Sequence, residues 1–387
     1  MTYVFDKNVD RRNTDSTKWD GMEARFGSGE LLPFWIADTD FPVMPELVQA
    51  IEERAAHPSY GYSFASPAYY DSFIRWNRER NHFAVEREQV LSVPGVVCAC
   101  AFTIYSLVSP GGKVMFCSPV YDPFLHSIEG LDRTPVVSSL KVRDGYYTMD
   151  FDDMDAKLAD GVELLILCNP HNPVGRVWTR EELERVGELC LKHQVPIFSD
   201  DIHSDIILPG YTYTPLPALS PEIADITVLA MAPSKTFNIA GLKSSLMVVP
   251  NPRLRKKINQ GLQAFHMGVD LFGLKATEAA YRLGGPWVDQ MNQYLLDSAK
   301  TVAEFCQNRL PKVKTRIPEG TYLMWLDFSG YGLTQKELME KLKLEAGVAL
   351  NDGSQYGPEG QGFVRLNIST ARPFLMEGLE RIAKCFG

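Results

Sequence analysis

The segment Ile226-Thr227-Val228-Leu229-Ala230-Met231-Ala232 is apolar and β-branched along nearly its whole length, with no alternating polar face. A run of that kind is a strand buried on both sides, the environment of a parallel sheet covered by helices. Val162–Cys168 and Lys113–Pro119 have the same character, and Val195–Ser199 is a shorter run of the same type. Helical patterns lie between them. Thr179-Arg180-Glu181-Glu182 reads as a capping box, and Leu183, Val186, Leu189 and Cys190 supply the apolar stripe of the helix it opens. Strands alternating with helices predict an α/β fold around a large, mostly parallel sheet flanked by helices.

Open sheets of this class hold their ligands beyond the carboxyl ends of the strands, so the residues there carry the chemistry. Tyr121 follows Pro119, where an aromatic ring can stack on a planar ligand. Asn172 sits in Asn169-Pro170-His171-Asn172-Pro173-Val174-Gly175, whose prolines exclude helix and sheet interior. Asp200-Asp201-Ile202-His203 closes the next strand, and Ser234-Lys235 closes the one after. A lysine in a partly dry pocket has its pKa lowered and becomes a nucleophile or Schiff-base former, which makes an aldehyde cofactor a natural partner. A lysine taken alone is more often a solvated loop residue, so Lys235 draws its weight from its companions. Finally, Val90–Val93 breaks at Pro94-Gly95 into the apolar run Val96–Val108, read as a buried helix. Amides at Gly95, Val96 and Val97 would then face an anion at the positive end of the helix dipole, although such turns also occur without any ligand.

Composition narrows the function classes. The chain has 387 residues, 45% hydrophobic and 22% charged, enough for a large core. A net charge of -9 without a basic run argues against a nucleic-acid partner. The seven cysteines are mostly embedded in apolar runs, and the close pair Cys98-Ala99-Cys100 lacks metal-ligand spacing; we expect reduced thiols and no metal. No stretch approaches the roughly 18 uninterrupted apolar residues of a membrane helix, and Met1–Lys7 lacks a signal core, so a cytoplasmic protein without a membrane partner is expected.

Taken in order, residues 1 to about 30 read as a polar arm, and Leu32–Pro42 as an extended segment laid against something buried. Helices are expected over Pro45–Ala56 and Pro67–Asn81, with an exposed aromatic turn, Tyr60-Gly61-Tyr62-Ser63, between them. Beyond Lys235 come a strand over 244–249, a long helical stretch over 252–283, a break at Gly284-Gly285-Pro286 and a second long helix over 287–310. Strands (321–328, 363–368) and helices (334–346, 373–384) alternate thereafter. This pattern predicts a large domain over 45–285 and a smaller α+β unit made of 1–44 and 286–387.

Tyr121, Asn172, Asp200 and Lys235, in that order, resemble the fold-type-I pyridoxal-phosphate enzymes of the aspartate aminotransferase class. In that family Asn-Pro-x-Asn-Pro-x-Gly, Asp-x-x-Tyr or His, Ser-Lys and a late Arg recur; here they are Asn169–Gly175, Asp200–His203, Ser234-Lys235 and Arg365. More narrowly, Phe5-Asp6, Asp10-Arg11-Arg12, Lys18-Trp19-Asp20, Trp35–Phe41, Cys168–Pro173 and Ser234–Lys243 resemble the MalY/PatB-type carbon-sulfur β-lyases, often called cystathionine β-lyases.

The resemblance implies pyridoxal 5'-phosphate as cofactor, an amino-acid thioether as substrate and a homodimer. It casts Lys235 as the cofactor-bearing lysine and then the base that removes the Cα proton, and Asp200 as the partner of the pyridine N–H. Tyr121 would stack on the ring, while Asn172 and His203 would stand near its phenolic oxygen. Ser234, Lys243, the amides at Gly95, Val96 and Val97, and Tyr62 from a second subunit would hold the phosphate. Arg365 would bind the substrate α-carboxylate, with Ala37 and Asn172 beside it. β-Elimination to thiol, pyruvate and ammonia is the expected reaction. An aminotransferase of the same fold is the alternative, and so is a regulatory protein that keeps the cofactor. The start of the chain lacks a helix-turn-helix extension, which disfavours a DNA-binding regulator.

Overall fold

The computed structural model describes residues 2–387. Its main sheet has seven strands, in spatial order Val90–Val93, Ser245–Val248, Thr227–Met231, Ile197–Asp200, Val162–Cys168, Lys113–Ser118 and Thr134–Ser139. The last five run parallel, and Ser245–Val248 is antiparallel to both its neighbours. Thr227–Met231 and Ile197–Asp200 are buried at every position, as expected of strands covered on both faces. Helices Val96–Leu107, Pro123–Gly130 and Pro252–Ala264 contribute to the apolar core on one face, and Phe151–Ala159 and Arg180–His193 to that on the other. Thr179 and Glu182 form the capping box at the start of Arg180–His193.

A second, antiparallel sheet has the order Lys314–Thr315, Leu323–Asp327, Phe363–Asn367, Asn351–Asp352. The 25-residue helix Gly285–Arg309 and the helix Arg372–Phe386 belong to the same extended core. Leu32–Pro33 pairs in parallel with Val348–Ala349, which draws the amino-terminal segment onto this part of the molecule.

Three features differ from the sequence reading. Residues 1 to 30 are not merely a polar arm: Lys18 is 1% exposed, and Trp19 and Met22 are buried. Asp40 explains this burial, because its carboxylate accepts from Lys18 Nζ at 2.7 Å and from Trp19 Nε1 at 3.1 Å. A lysine is tolerated inside a protein only when so paired. The helical stretch over 252–283 is two helices, Pro252–Ala264 and Leu271–Leu283, and Asp270 restarts the second by accepting from the Phe272 and Gly273 amides, each at 2.8 Å. The strand Thr134–Ser139 has no clear signature in the sequence; Pro135 spoils the pattern and is accommodated because the strand lies at the sheet edge.

Candidate active site

The strand Thr227–Met231 ends two residues before a single helical turn, Pro233–Thr236, which carries Lys235 past the edge of the sheet. Thr236 Oγ1 donates to Asp205 at 3.1 Å and fixes that turn from behind. Lys235 Nζ donates to the Ala37 carbonyl at 2.6 Å. Burial pushes its amine down to about 8, against the pull of Asp38 and with the help of Arg365. A substantial neutral fraction near pH 8 is what a lysine nucleophile or base requires.

Asp200 ends its strand beside the same space. Because successive side chains in a strand point to opposite faces, Asp201 turns away, where Ser199 and Tyr213 donate to its carboxylate. Burial raises Asp200 to about 7 and Asp201 to about 8. One Asp200 oxygen accepts from the Ile202 amide at 3.1 Å. His203 is buried, its Nδ1 has no hydrogen-bond partner, and burial holds its ring pKa far below the usual value, so the imidazole is neutral. It meets Tyr322 edge-on, with centroids 5.7 Å apart.

Arg365 lies in the strand Phe363–Asn367 and reaches across to Asn172 Oδ1 at 3.1 Å and the Trp35 carbonyl at 2.8 Å. Its Nε is buried without a partner, and its guanidinium lies 5.1 Å from the centre of the Tyr356 ring. With its amide oxygen toward Arg365, Asn351 accepts from that guanidinium at 3.1 Å and from Tyr356 Oη at 2.7 Å. Two positive-end amides follow Gly95, whose φ of 113° is open to glycine and strained for other residues. Those amides, on Val96 and Val97, are the first of the helix Val96–Leu107, positions that have no intrahelical acceptor.

These groups surround one cavity of about 290 Å³. Ala37, Val96, Val97, Tyr121 and Asn172 line it, as do Asp200, His203, Lys235 and Arg365. Gly95, Ser234, Lys243 and Tyr62 do not. The Gly95 amide is already shared between the Val93 carbonyl at 3.0 Å and Ser245 Oγ at 3.1 Å. Ser234 sits on the Lys235 turn without reaching the cavity, Lys243 is exposed beyond the turn Ala240–Leu242, and Tyr62 is fully exposed. The cavity also contains residues that the sequence did not single out as site residues, among them Arg25, Asp122, Asn351 and Tyr356. Only Asp122 carried a usable signal, as the neighbour of Tyr121 at a strand end.

The carbonyl that receives Lys235 belongs to a segment held from several sides. Asn367 Nδ2 donates to the Ile36 and Asp38 carbonyls, both at 2.6 Å, and Asn238 brackets Thr39, accepting from its amide at 3.2 Å and donating to its carbonyl at 2.8 Å. Arg11 adds an ion pair to Asp38 at 2.6 Å. The arrangement offers a lysine of lowered pKa, a buried acid and an anchored arginine around a space sized for a small ligand, with free amides at one end.

Comparison with known proteins agrees with that chemistry. The family described as aminotransferase class I and II matches residues 29–382. The chain is 42% identical over 380 residues to the cystathionine beta-lyase PatB of Bacillus subtilis, covering 98% of each. Cystalysin from Treponema denticola, whose crystal structure contains a pyridoxal 5'-phosphate cofactor, superposes with a TM-score of 0.97 at 32% identity over 100% of this chain and 99% of that one. The PLP-bound C-S lyase from Staphylococcus hominis superposes with a TM-score of 0.93 at 31% identity, covering 100% and 98%.

Proposed function

This chain belongs to the aminotransferase class I and II family, and from that membership we propose that it is a pyridoxal-phosphate-dependent carbon-sulfur β-lyase acting on amino-acid thioethers. The observation that carries the proposal is Lys235, lowered to about 8, in one cavity with buried Asp200 and Arg365. The residues fit the cofactor. Lys235 offers the amine for its aldehyde, Asp200 a carboxylate for its pyridine nitrogen, and the Val96 and Val97 amides a cradle for its phosphate. Asn172 and the unpartnered Nδ1 of His203 suit its phenolic oxygen, and Tyr121 suits its ring face.

When bound, pyridoxal phosphate supplies an electron sink for charge developing at the substrate Cα. The protein does the rest. Arg365, kept in place by Asn172 and the Trp35 carbonyl, binds the α-carboxylate through a planar fork. Burial favours the neutral form of Asp200, and a cationic partner facing it favours the charged one. Lys235 would take the Cα proton and could return it to the departing thiolate; the three-carbon enamine left after thiol loss is hydrolysed by water to pyruvate and ammonia.

We further propose a homodimer in which Tyr62 of one copy reaches the phosphate end of the other's site. Supporting this, Tyr60 is 60%, Tyr62 112% and Phe64 81% exposed, a cluster of aromatic surface that a monomer seldom leaves bare. Seven free cysteines favour a reducing compartment, the cytoplasm, and among the described residues no helix is long and apolar enough to cross a membrane.

Incubation with cystathionine, S-methylcysteine, or aspartate plus 2-oxoglutarate tests the reaction type. Pyruvate and free thiol in the thioether incubations support elimination. Glutamate from aspartate and 2-oxoglutarate, with no thiol released from either thioether, would replace the proposal with transamination.

A further inference from the structure

We propose that Arg25 reads a carboxylate on the leaving thiol, so that preferred substrates carry a second acidic group beyond sulfur. The inference deepens the lyase reading and rests on it for the name of the leaving group. Two arginines line the cavity, Arg365 and Arg25. Arg365 is committed to Asn172 and the Trp35 carbonyl deep in the wall, in position for one carboxylate. Arg25 is exposed at the mouth, and among the described residues its guanidinium makes no hydrogen bond or ion pair. Asp122 lines the same cavity without pairing with it. A cation at a substrate cavity that pairs with no acid of its own chain is matched by an anion brought by the ligand.

The backbone that carries Arg25 is anchored to the substrate wall. Its short helix, Met22–Phe26, stops at Gly27 in the left-handed region. Phe26 packs edge-on against Trp35, with centroids 5.2 Å apart, and Trp35 Nε1 donates to the Lys18 carbonyl at 3.1 Å. Trp35 is the residue whose carbonyl holds Arg365, so both cations are registered against one residue. A ligand with a carboxylate at each end meets both; a simple S-alkyl cysteine meets only one.

The test compares holoenzyme and Arg25→Gln on S-carboxymethylcysteine and its neutral isostere S-carbamoylmethylcysteine. Wild type should favour the acid by about tenfold in kcat/KM, the lower end for a hydrogen bond to a charged group, and Arg25→Gln should bring the ratio near one. Arg25→Lys should retain part of the preference. A second readout needs no elimination: equilibrium binding of 2-aminoadipate against norleucine, followed by the cofactor's absorbance. Tighter aminoadipate binding that disappears in Arg25→Gln supports Arg25 even if no thioether is cleaved, in which case only the lyase reading falls. Equal binding of the two amino acids by wild type, or an acid preference unchanged in a folded Arg25→Gln, overturns the proposal.

Discussion

Lys235 Nζ donates to the carbonyl of Ala37 at 2.6 Å, and Tyr322 Oη donates to the same oxygen at 3.0 Å. The contact ties the end of a central strand to the amino-terminal segment. Loss of either side therefore affects the site, and the two losses are separable by experiment.

Lys235→Ala removes the lowered-pKa amine itself. Borohydride should fix pyridoxal phosphate to Lys235 in the wild type and leave the variant unlabelled at that position. Turnover should fall by several orders of magnitude, beyond the ~10²- to 10⁴-fold typical of lost proton transfer alone, because the variant lacks the covalent anchor too. Peptide mapping that found the label on another lysine would overturn the assignment.

Asp200→Asn and Asp201→Asn should behave differently although the residues are adjacent. The first should bind cofactor but lose elimination, because only Asp200 lines the cavity. The second should show its effect in stability against pH. Asp201 is raised to about 8 in the folded chain, from about 4 when unfolded, so the folded state holds more protons between those values and the contribution is lost as pH rises. Urea midpoints at pH 5 and pH 8 should show the wild type's advantage over Asp201→Asn shrinking at the higher pH. A constant difference contradicts this.

Lys18→Met should destabilise the chain without touching the cavity. It strips a partner from Asp40, a buried carboxylate that then keeps only Trp19 and the more distant Arg11. Breaking one side of a buried pair costs about 3 to 5 kcal/mol, readable in urea unfolding. A loss below about 1 kcal/mol would mean that Arg11 compensates.

Mixing Tyr62→Ala with Lys235→Ala tests the shared site. Under random subunit exchange half the dimers are hybrid and each has one site with both groups intact, so activity should return to up to about a quarter of the sites. No recovery despite proven exchange would mean that Tyr62 serves its own chain or only packs.

Lys235, Asp200, Asn172 and Tyr121 were legible in the chain because each follows an apolar run whose end is marked by proline, glycine or a sudden change to polar residues. Those signals are local. The choice between Asp200 and Asp201 was weaker, since either carboxylate satisfies the sequence pattern; strand alternation in the folded sheet sends one to the cavity and the other to Tyr213.

Sequence by itself determined the alternation of buried strands and amphipathic helices, and with it the sheet edge where the reactive groups collect. Tertiary structure alone decided what closes that edge. Arg25, Asn351 and Tyr356 come from polar or irregular stretches without periodicity. They reach the cavity because Leu32 pairs with Val348 and Asn351 with Arg365, contacts between segments remote in the chain. The burial of Lys18 has the same origin: its composition reads as solvent-exposed, and only a carboxylate delivered from another segment makes the interior favourable for its charge.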